Sequence, residues 1–144
     1  MLTGGRSVEV PAPANQIPLF IRAGAVRPLL PADVQTLSDY GSGVVHLSDR
    51  RDERALLAWP EHGRSSTAAP TADARVSSSL QGDGSWVLQV RQRRSRTFDL
   101  QVALQRRPCA LLVNGKRHKF SYGDGVLRAA VKLKHGAVEA RSTC

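Results

Sequence analysis

The stretch that decides the fold reads Val8-Glu-Val-Pro-Ala-Pro-Ala-Asn-Gln-Ile-Pro-Leu-Phe-Ile-Arg-Ala-Gly-Ala-Val-Arg-Pro-Leu-Leu30. The alternation of polar and apolar side chains from Ser7 to Val10 predicts a β-strand. Pro11 and Pro13 fix φ and lack an amide hydrogen, so they predict a turn after this strand. A second strand is predicted over residues 17–22, with apolar side chains on both of its faces. Both faces therefore need a covering layer.

The same residues carry a resemblance to an enzyme family. The stretch is similar to the pattern v-x-a-P-x-x-x-I-P-l-F-v-R-a-G-a-i-x-P that follows the catalytic barrel in glycoside hydrolase family 31, the α-glucosidase and α-xylosidase family. The matching positions are Pro13, Ile17, Pro18, Leu19, Phe20, Arg22 and Gly24. The resemblance is good over the first 60 or so residues and extends to the remainder only in pattern. It implies a partial proximal and a distal C-terminal β-domain.

The resemblance also implies what the chain does. Family 31 enzymes carry their catalytic carboxylates in a (β/α)₈ barrel before this motif, whereas here the motif begins at Val8. We therefore expect a non-catalytic C-terminal portion of a glycosidase, with no catalytic residue and no cofactor. Its expected partner is a catalytic barrel, which it packs against and stabilises, either within a full-length parent enzyme or in trans.

The acidic residues of the first half form no recognisable catalytic pair. Glycoside hydrolysis generally uses two carboxyl groups about 5–10 Å apart. Asp33, Asp39, Asp49, Asp52 and Glu53 lie in turn-like or charge-rich settings, which are typical of solvated surface acids. The four histidines are scattered, and no spacing typical of metal ligands stands out.

Charge and composition predict a domain boundary. Residues 1–72 contain seven basic and seven acidic side chains, whereas residues 73–144 contain 14 basic and five acidic ones, so the whole net charge of +9 lies in the second half. The intervening segment is rich in Ser, Thr, Ala and Pro. The predicted organisation is a partial proximal β-sandwich over 1–61, a linker over 62–75 and a distal β-sandwich over 76–144.

Strand signals cover most of the chain. In the first half, residues 44–47 and 55–59 are predicted to pair as a hairpin. In the second half, the period-two alternation of residues 86–90, 98–105 and 127–134 predicts half-buried strands, and Asn114-Gly115 predicts a type I′ hairpin turn. The sequence therefore predicts an all-β protein, an antiparallel β-sandwich without a helix.

A run of arginines raises an alternative function. Arg91, Arg93, Arg94 and Arg96 are predicted to form an exposed hairpin tip between two strands, and the isoelectric point is near 10.8. A solvated basic face is the favoured interpretation of this possible polyanion patch. The alternative is nucleic-acid or polyanion binding, which we expect to be weak and non-specific. A carbohydrate-binding module is a third possibility, although fold alone is weak support for it and only 5% of the chain is aromatic.

The remaining signals concern location and association. No run of about 18 apolar residues is present, and the first residues lack the charged and then apolar pattern that is typical of a signal peptide. The expectation is a soluble chain without an export signal of its own, cytoplasmic or secreted as part of a parent enzyme.

Cys109 and Cys144 are predicted to be unpaired thiols. The Gly4-Gly5 start resembles a Gly-rich hairpin of the family, which implies that a strand expected to pair with residues 7–10 is missing. Because this leaves an unpaired strand edge, self-association is also expected.

Overall fold

Nine β-strands make up the fold in the computed structural model of the chain, which describes residues 5, 7–15, 17–18, 20–71 and 74–142. The strands are β1 (Val26–Leu29), β2 (Glu53–Ala58), β3 (Ser65–Thr71), β4 (Ala74–Leu80), β5 (Trp86–Ala103), β6 (Ala110–Val113), β7 (Lys116–His118), β8 (Ser121–Gly123) and β9 (Val126–Arg141). A short 3-10 helix spans Leu47–Arg50. The predicted all-β class is therefore confirmed.

The strands form one mixed sheet that is not closed into a barrel. Its main path runs β1-β2-β5-β9-β6-β7, with β4 beside the first half of β5, β3 beside β4, and β8 beside β9. The described strand pairs are antiparallel, as predicted, with the exception of β2 and β5, which run parallel. The parallel pair is possible because a long connection, containing β3 and β4, separates the two strands in sequence.

Two long strands, β5 and β9, connect the two ends of the sheet. They pair along nearly their whole length, from Trp86 opposite Ala140 to Ala103 opposite Val126. The other edge of β5 pairs with β4 through its first half and with β2 through its second half. This single strand therefore joins elements from both halves of the sequence.

The arginine run lies within β5 and not at a hairpin tip, so that prediction is wrong. The pairing of β5 with β9 shifts register between Arg91 and Arg96, which marks a bulge, and then continues. No Gly, Pro, Asn or Asp in this run turns the chain back. Val90 and Phe98, on either side of the bulge, are both buried, so both halves of the strand face the core.

The core forms on one face of this folded sheet. Its fully buried side chains include Leu56, Trp86, Leu88, Leu100, Leu111, Leu127, Val131 and Val138. In β9 the alternation follows the prediction, because Leu127, Ala129, Val131 and Leu133 are buried while Arg128, Ala130, Lys132 and Lys134 are exposed. The apolar residues at every second position of β5 and β9 thus supply most of the core.

The Asn114-Gly115 turn was predicted correctly. Asn114 and Gly115 have φ values of 48° and 78°, the positive values that a type I′ turn requires, and they join β6 to β7. Asn114 also anchors the turn to β9. Its backbone N–H donates to the carbonyl oxygen of Ala137, and its Oδ1 accepts from the N–H of Ala137, each at 2.9 Å.

The first strands differ from the prediction. Neither residues 7–10 nor the described residues of 17–22 form a strand, and the first strand of the described chain is β1. β1 rather than 44–47 is the antiparallel partner of β2, so the predicted hairpin of 44–47 with 55–59 is also wrong. β1 contains Pro28, which is tolerated because β1 is an edge strand.

The segment predicted as a linker, 62–75, contains β3 and the first residues of β4. These strands pair with each other, and β4 pairs with β5. Serine and threonine occupy most of β3, and such residues fit an exposed strand as well as a loop, which is why composition alone misread this segment. The division of the chain into two domains stays a prediction.

Cys109 is disulfide-bonded, so the prediction of two unpaired thiols is wrong. The N–H of Cys109 donates to the carbonyl oxygen of Arg141 at 2.8 Å, which places the residue beside the end of β9. Residues 109 and 141 are far apart in sequence, and only the sheet brings them together. The other cysteine of the chain, Cys144, lies outside the described residues.

We predict that Trp86→Phe lowers the free energy of unfolding by about 2–4 kcal/mol. The indole Nε1–H of Trp86 donates to Ser78 Oγ at 2.8 Å, and both residues are buried. The smaller ring leaves a cavity and removes the donor. Urea unfolding measures the effect, and Ser78→Ala, which removes the same hydrogen bond without the cavity, should cost only about 1–2 kcal/mol. Wild-type stability for Trp86→Phe would contradict this account of the core.

Candidate functional site

The described residues at the start of the family motif are exposed. Ile17 is 94% exposed and Phe20 is 63% exposed. Pro13 and Pro18 are exposed as well, and Leu19 lies outside the described residues. Apolar side chains of this size are usually covered in a folded protein, so this part of the motif presents an apolar surface to its surroundings.

The end of the motif forms a tight turn against the sheet. Gly24 is buried and has a φ of 83°, a conformation that favours glycine. Its N–H donates to the carbonyl oxygen of Trp59 at 2.6 Å, and the N–H of Trp59 donates to that of Ala25 at 2.9 Å. A Cβ at Gly24 would lie 2.8 Å from Cβ of Arg64. Gly24 thus allows the chain to approach the segment before β3 closely.

This close approach creates a pocket of about 450 Å³ between residues 22–27 and residues 63–67. We call it the arginine pocket, because three of its lining residues are Arg22, Arg27 and Arg64. The other lining residues are Ala23, Gly24, Ala25, Val26, Gly63, Ser65, Ser66 and Thr67. Sequence reasoning identified Arg22 and Gly24 as motif residues but missed Arg27, Arg64 and the serines. The two walls of the arginine pocket are about 40 residues apart in the sequence, and no local sequence pattern connects them.

The predicted polyanion patch is divided by the bulge in β5. Arg91, Arg93 and Arg94 are exposed, whereas Arg96 is partly buried. Arg96 donates through Nη1 to Oε1 of Gln92 at 2.9 Å, and buried Gln92 donates in turn to the carbonyl oxygen of Leu133 at 2.7 Å. The four arginines therefore do not share one exposed surface, and the patch stays a prediction.

Arg96 also lies near a second arginine from β2. The pKa of the Arg54 guanidinium is lowered from its usual value, chiefly because the group is partly buried and also because the positive charge of Arg96 is close. Arg54 donates to the carbonyl oxygen of Glu53 at 2.5 Å. The two residues are partly buried, and the pairing of β2 with β5 brings them close together.

Several of the acidic residues named in the sequence analysis make hydrogen bonds or ion pairs around the 3-10 helix, in the connection between β1 and β2. Arg50 donates to Asp33 Oδ2 from Nη2 at 2.7 Å and lies 3.6 Å from Glu53 Oε2. The hydrogen bond from Arg50 keeps the pKa of Asp33 below its usual value. Ser48 donates to Asp39 at 2.7 Å. These carboxylates bind neighbouring groups of the same connection.

Neither a cluster of metal ligands nor a membrane-spanning helix is present among the described residues. No group of three or more His, Cys, Asp or Glu side chains is placed to hold a metal ion there. No helix in the same part of the chain has the length and apolar character needed to span a membrane.

Comparison with known proteins gives a likeness of fold. The sequence matches no family model and no curated protein. Two solved structures of a glycoside hydrolase family 31 dextranase from Flavobacterium johnsoniae match the chain, one a variant complexed with isomaltotriose and the other complexed with glucose. Each has a TM-score of 0.67 and 14% sequence identity, and each match covers 92% of this chain but 21% of the dextranase. The chain therefore has the fold of one part of a family 31 glycoside hydrolase.

Proposed function

We propose that the chain is a non-catalytic β-sandwich portion of a family 31 glycoside hydrolase, which packs on a (β/α)₈ catalytic barrel and stabilises it. The likeness to the dextranase structures supports a glycoside hydrolase-related region. A chain that spans about a fifth of its structural relatives fits a portion that acts beside a catalytic domain. The barrel lies within a full-length parent enzyme or is supplied in trans.

One observation carries the docking role. In the part of the chain that the structure describes, the exposed large apolar side chains all belong to residues 8–40, which we call the apolar segment. They are Val8, Ile17, Phe20, Ile21, Leu29, Leu30, Leu37 and Tyr40. From residue 41 onward, the large apolar side chains of the described chain are at least partly covered.

Burial of the apolar segment against a partner can contribute a large favourable free energy of binding. Fully burying one side chain of this kind contributes about 1.5–3 kcal/mol relative to leaving it exposed. Ile17, Leu37 and Tyr40 are 94%, 71% and 77% exposed, so little of that contribution is realised within the chain itself. Ile17 and Phe20 are also positions of the motif that follows the barrel in family 31 enzymes. Their exposure fits a surface that meets the barrel.

Two alternative functions stay open. The outer face of β9 exposes Arg128, Lys132 and Lys134, which supports weak, salt-sensitive attraction of nucleic acid or another polyanion. A carbohydrate-binding role draws on Phe20 and Tyr40, the aromatic side chains that are exposed in the described residues. Neither alternative explains why exposed apolar side chains are confined to the apolar segment.

We predict that the purified chain does not hydrolyse nitrophenyl α-glucosides or α-xylosides above the rate in buffer. Near the 3-10 helix, Asp33 and Glu53 pair with Arg50, and Asp39 accepts a hydrogen bond from Ser48, so these carboxylates are engaged within the chain. A chromogenic assay over a range of pH tests this. Turnover that accompanies the chain and disappears in Asp33→Asn or Glu53→Gln would contradict the proposal.

We predict that the chain forms a complex with a family 31 catalytic barrel from the same genome, expressed without a β-sandwich of its own, and raises the thermal midpoint of that barrel. The double variant Ile17→Ser and Phe20→Ser should weaken the complex at least about tenfold, since two apolar contacts are lost. It should unfold at the same temperature as the wild-type chain, because both side chains are exposed.

The matched control changes two exposed residues elsewhere, Arg128→Ser and Lys132→Ser on β9. This control should bind the barrel like the wild-type chain. Equal weakening by both double variants, or the absence of any complex, would count against docking through the apolar segment. Analytical ultracentrifugation and calorimetry of the mixture provide the measurements.

A further inference from the structure

We propose that the arginine pocket binds a small hydroxylated oxyanion, of the chemical class of hexuronates and sugar phosphates. The pocket of about 450 Å³ falls within the range of small-molecule sites, which is roughly 300–1,000 Å³. Binding there needs only the chain itself and does not rest on the proposed docking, although one wall of the pocket, residues 22–27, belongs to the apolar segment.

The charge of the pocket selects an anion. Three arginines are among its lining residues, Arg22, Arg27 and Arg64, and none of the lining residues is acidic. Guanidinium groups bind carboxylates and phosphates through paired hydrogen bonds, which makes arginine the usual residue for recognising these groups. Concentration of three positive charges around one cavity also attracts an anion from solution.

These guanidinium groups retain free donors. Within the described residues, Arg22 and Arg27 make no ion pair and no side-chain hydrogen bond. Arg64 has one acidic neighbour, because its Nε lies 3.6 Å from Glu61 Oε2, which is longer than a hydrogen bond. Glu61 is outside the lining of the pocket. Among the three arginines of the pocket, an ion pair in the described residues therefore offsets the charge of Arg64 alone.

The hydroxyl groups beside the arginines favour a ligand that has hydrogen-bonding groups as well as a negative charge. Ser65, Ser66 and Thr67 line the wall opposite the arginine-bearing turn. Ser66 Oγ accepts a hydrogen bond from the N–H of Val26 at 2.8 Å, so its own O–H remains able to donate. Hydroxyl groups of a sugar are natural partners for such side chains. The combination points to a sugar-sized molecule with one acidic group.

The pocket is held open by the backbone. The hydrogen bond from Val26 to Ser66 connects its two walls, and the hydrogen bonds between Gly24, Ala25 and Trp59 fix the turn at its base. Gly24 contacts the Arg64 side chain so closely that a Cβ would displace it. Because the backbone of the pocket is already formed, little affinity is lost to backbone ordering, which favours binding even by a small ligand.

Calorimetric titration of the full chain with glucuronate, glucose 6-phosphate and glucose, at low and matched ionic strength, tests the proposal. We expect saturable binding of one equivalent of glucuronate, glucose 6-phosphate or both, and none of glucose. The tighter of the two anions identifies whether the acidic group is a carboxylate or a phosphate. No saturable binding of either anion, or equal binding of neutral glucose, would overturn the proposal.

Variants separate the pocket from the general positive charge of the chain. Arg22→Gln with Arg27→Gln should weaken anion binding at least about tenfold. Arg106→Gln with Arg107→Gln makes the same change in charge at exposed positions outside the pocket and should leave affinity within about twofold of the wild type, which is under half a kcal/mol. Equal loss in both double variants would show general charge attraction and would overturn the site.

A third variant changes the shape of the pocket without changing charge. Gly24→Ala places a Cβ 2.8 Å from Cβ of Arg64 and should weaken anion binding because Arg64 must move. Circular dichroism and the thermal midpoint show whether this variant is folded. If it does not fold, the two arginine double variants decide the question, since all of their changes are at exposed side chains.

Discussion

The pairing of β5 with β9 is the constraint on which the rest of the structure depends. These two strands run antiparallel from Trp86 and Ala140 at one end to Ala103 and Val126 at the other. Alternate residues of each strand face the core on either side of the register shift, so the pair supplies Trp86, Leu100, Leu127 and other fully buried side chains. The remaining strands are added at the free edges, β2 and β4 on β5, and β6 and β8 on β9. The bulge allows one strand to serve both ends of the sheet.

This arrangement divides the chain into a covered part and an apolar segment that is not covered. The residues from β2 onward bury their large apolar side chains largely against one another. The apolar segment, in contrast, leaves Ile17, Phe20, Leu37 and Tyr40 exposed. A partner that covers this segment adds stability that the sheet cannot supply. The likeness to part of a family 31 enzyme makes a catalytic barrel the natural partner in our proposal.

Sequence periodicity predicted the second half of the fold well because its strands have one buried and one exposed face. The positions of residues 98–102 and 127–134 and the Asn114-Gly115 turn follow from local rules alone. The arginine run was misread as a turn because a row of charges is typical of loops. In the structure β5 pairs with β4 up to Gln92 and resumes its pairing with β9 at Arg96, so the run continues the strand.

The first half could not be predicted in the same way. Residues 7–10 and 17–22 have a strand-like composition, but they find no pairing partner in the described chain. The arginine pocket joins two segments about 40 residues apart, and its geometry depends on the backbone at Gly24 and on the hydrogen bond from Val26 to Ser66. The motif drew attention to Arg22 and Gly24, whereas Arg27 and Arg64 carry no local signal. Long-range contacts of this kind require the fold itself.

The account is tested most directly by hydrogen–deuterium exchange of the chain with and without a family 31 catalytic barrel. Coverage by the barrel should slow exchange in peptides from residues 8–40 and leave peptides from β5 and β9 unchanged, because their backbone groups are already paired within the sheet. Protection that appears instead on β9, near Arg128 and Lys132, or that appears nowhere, would contradict the claim that the apolar segment is the surface that meets a catalytic barrel.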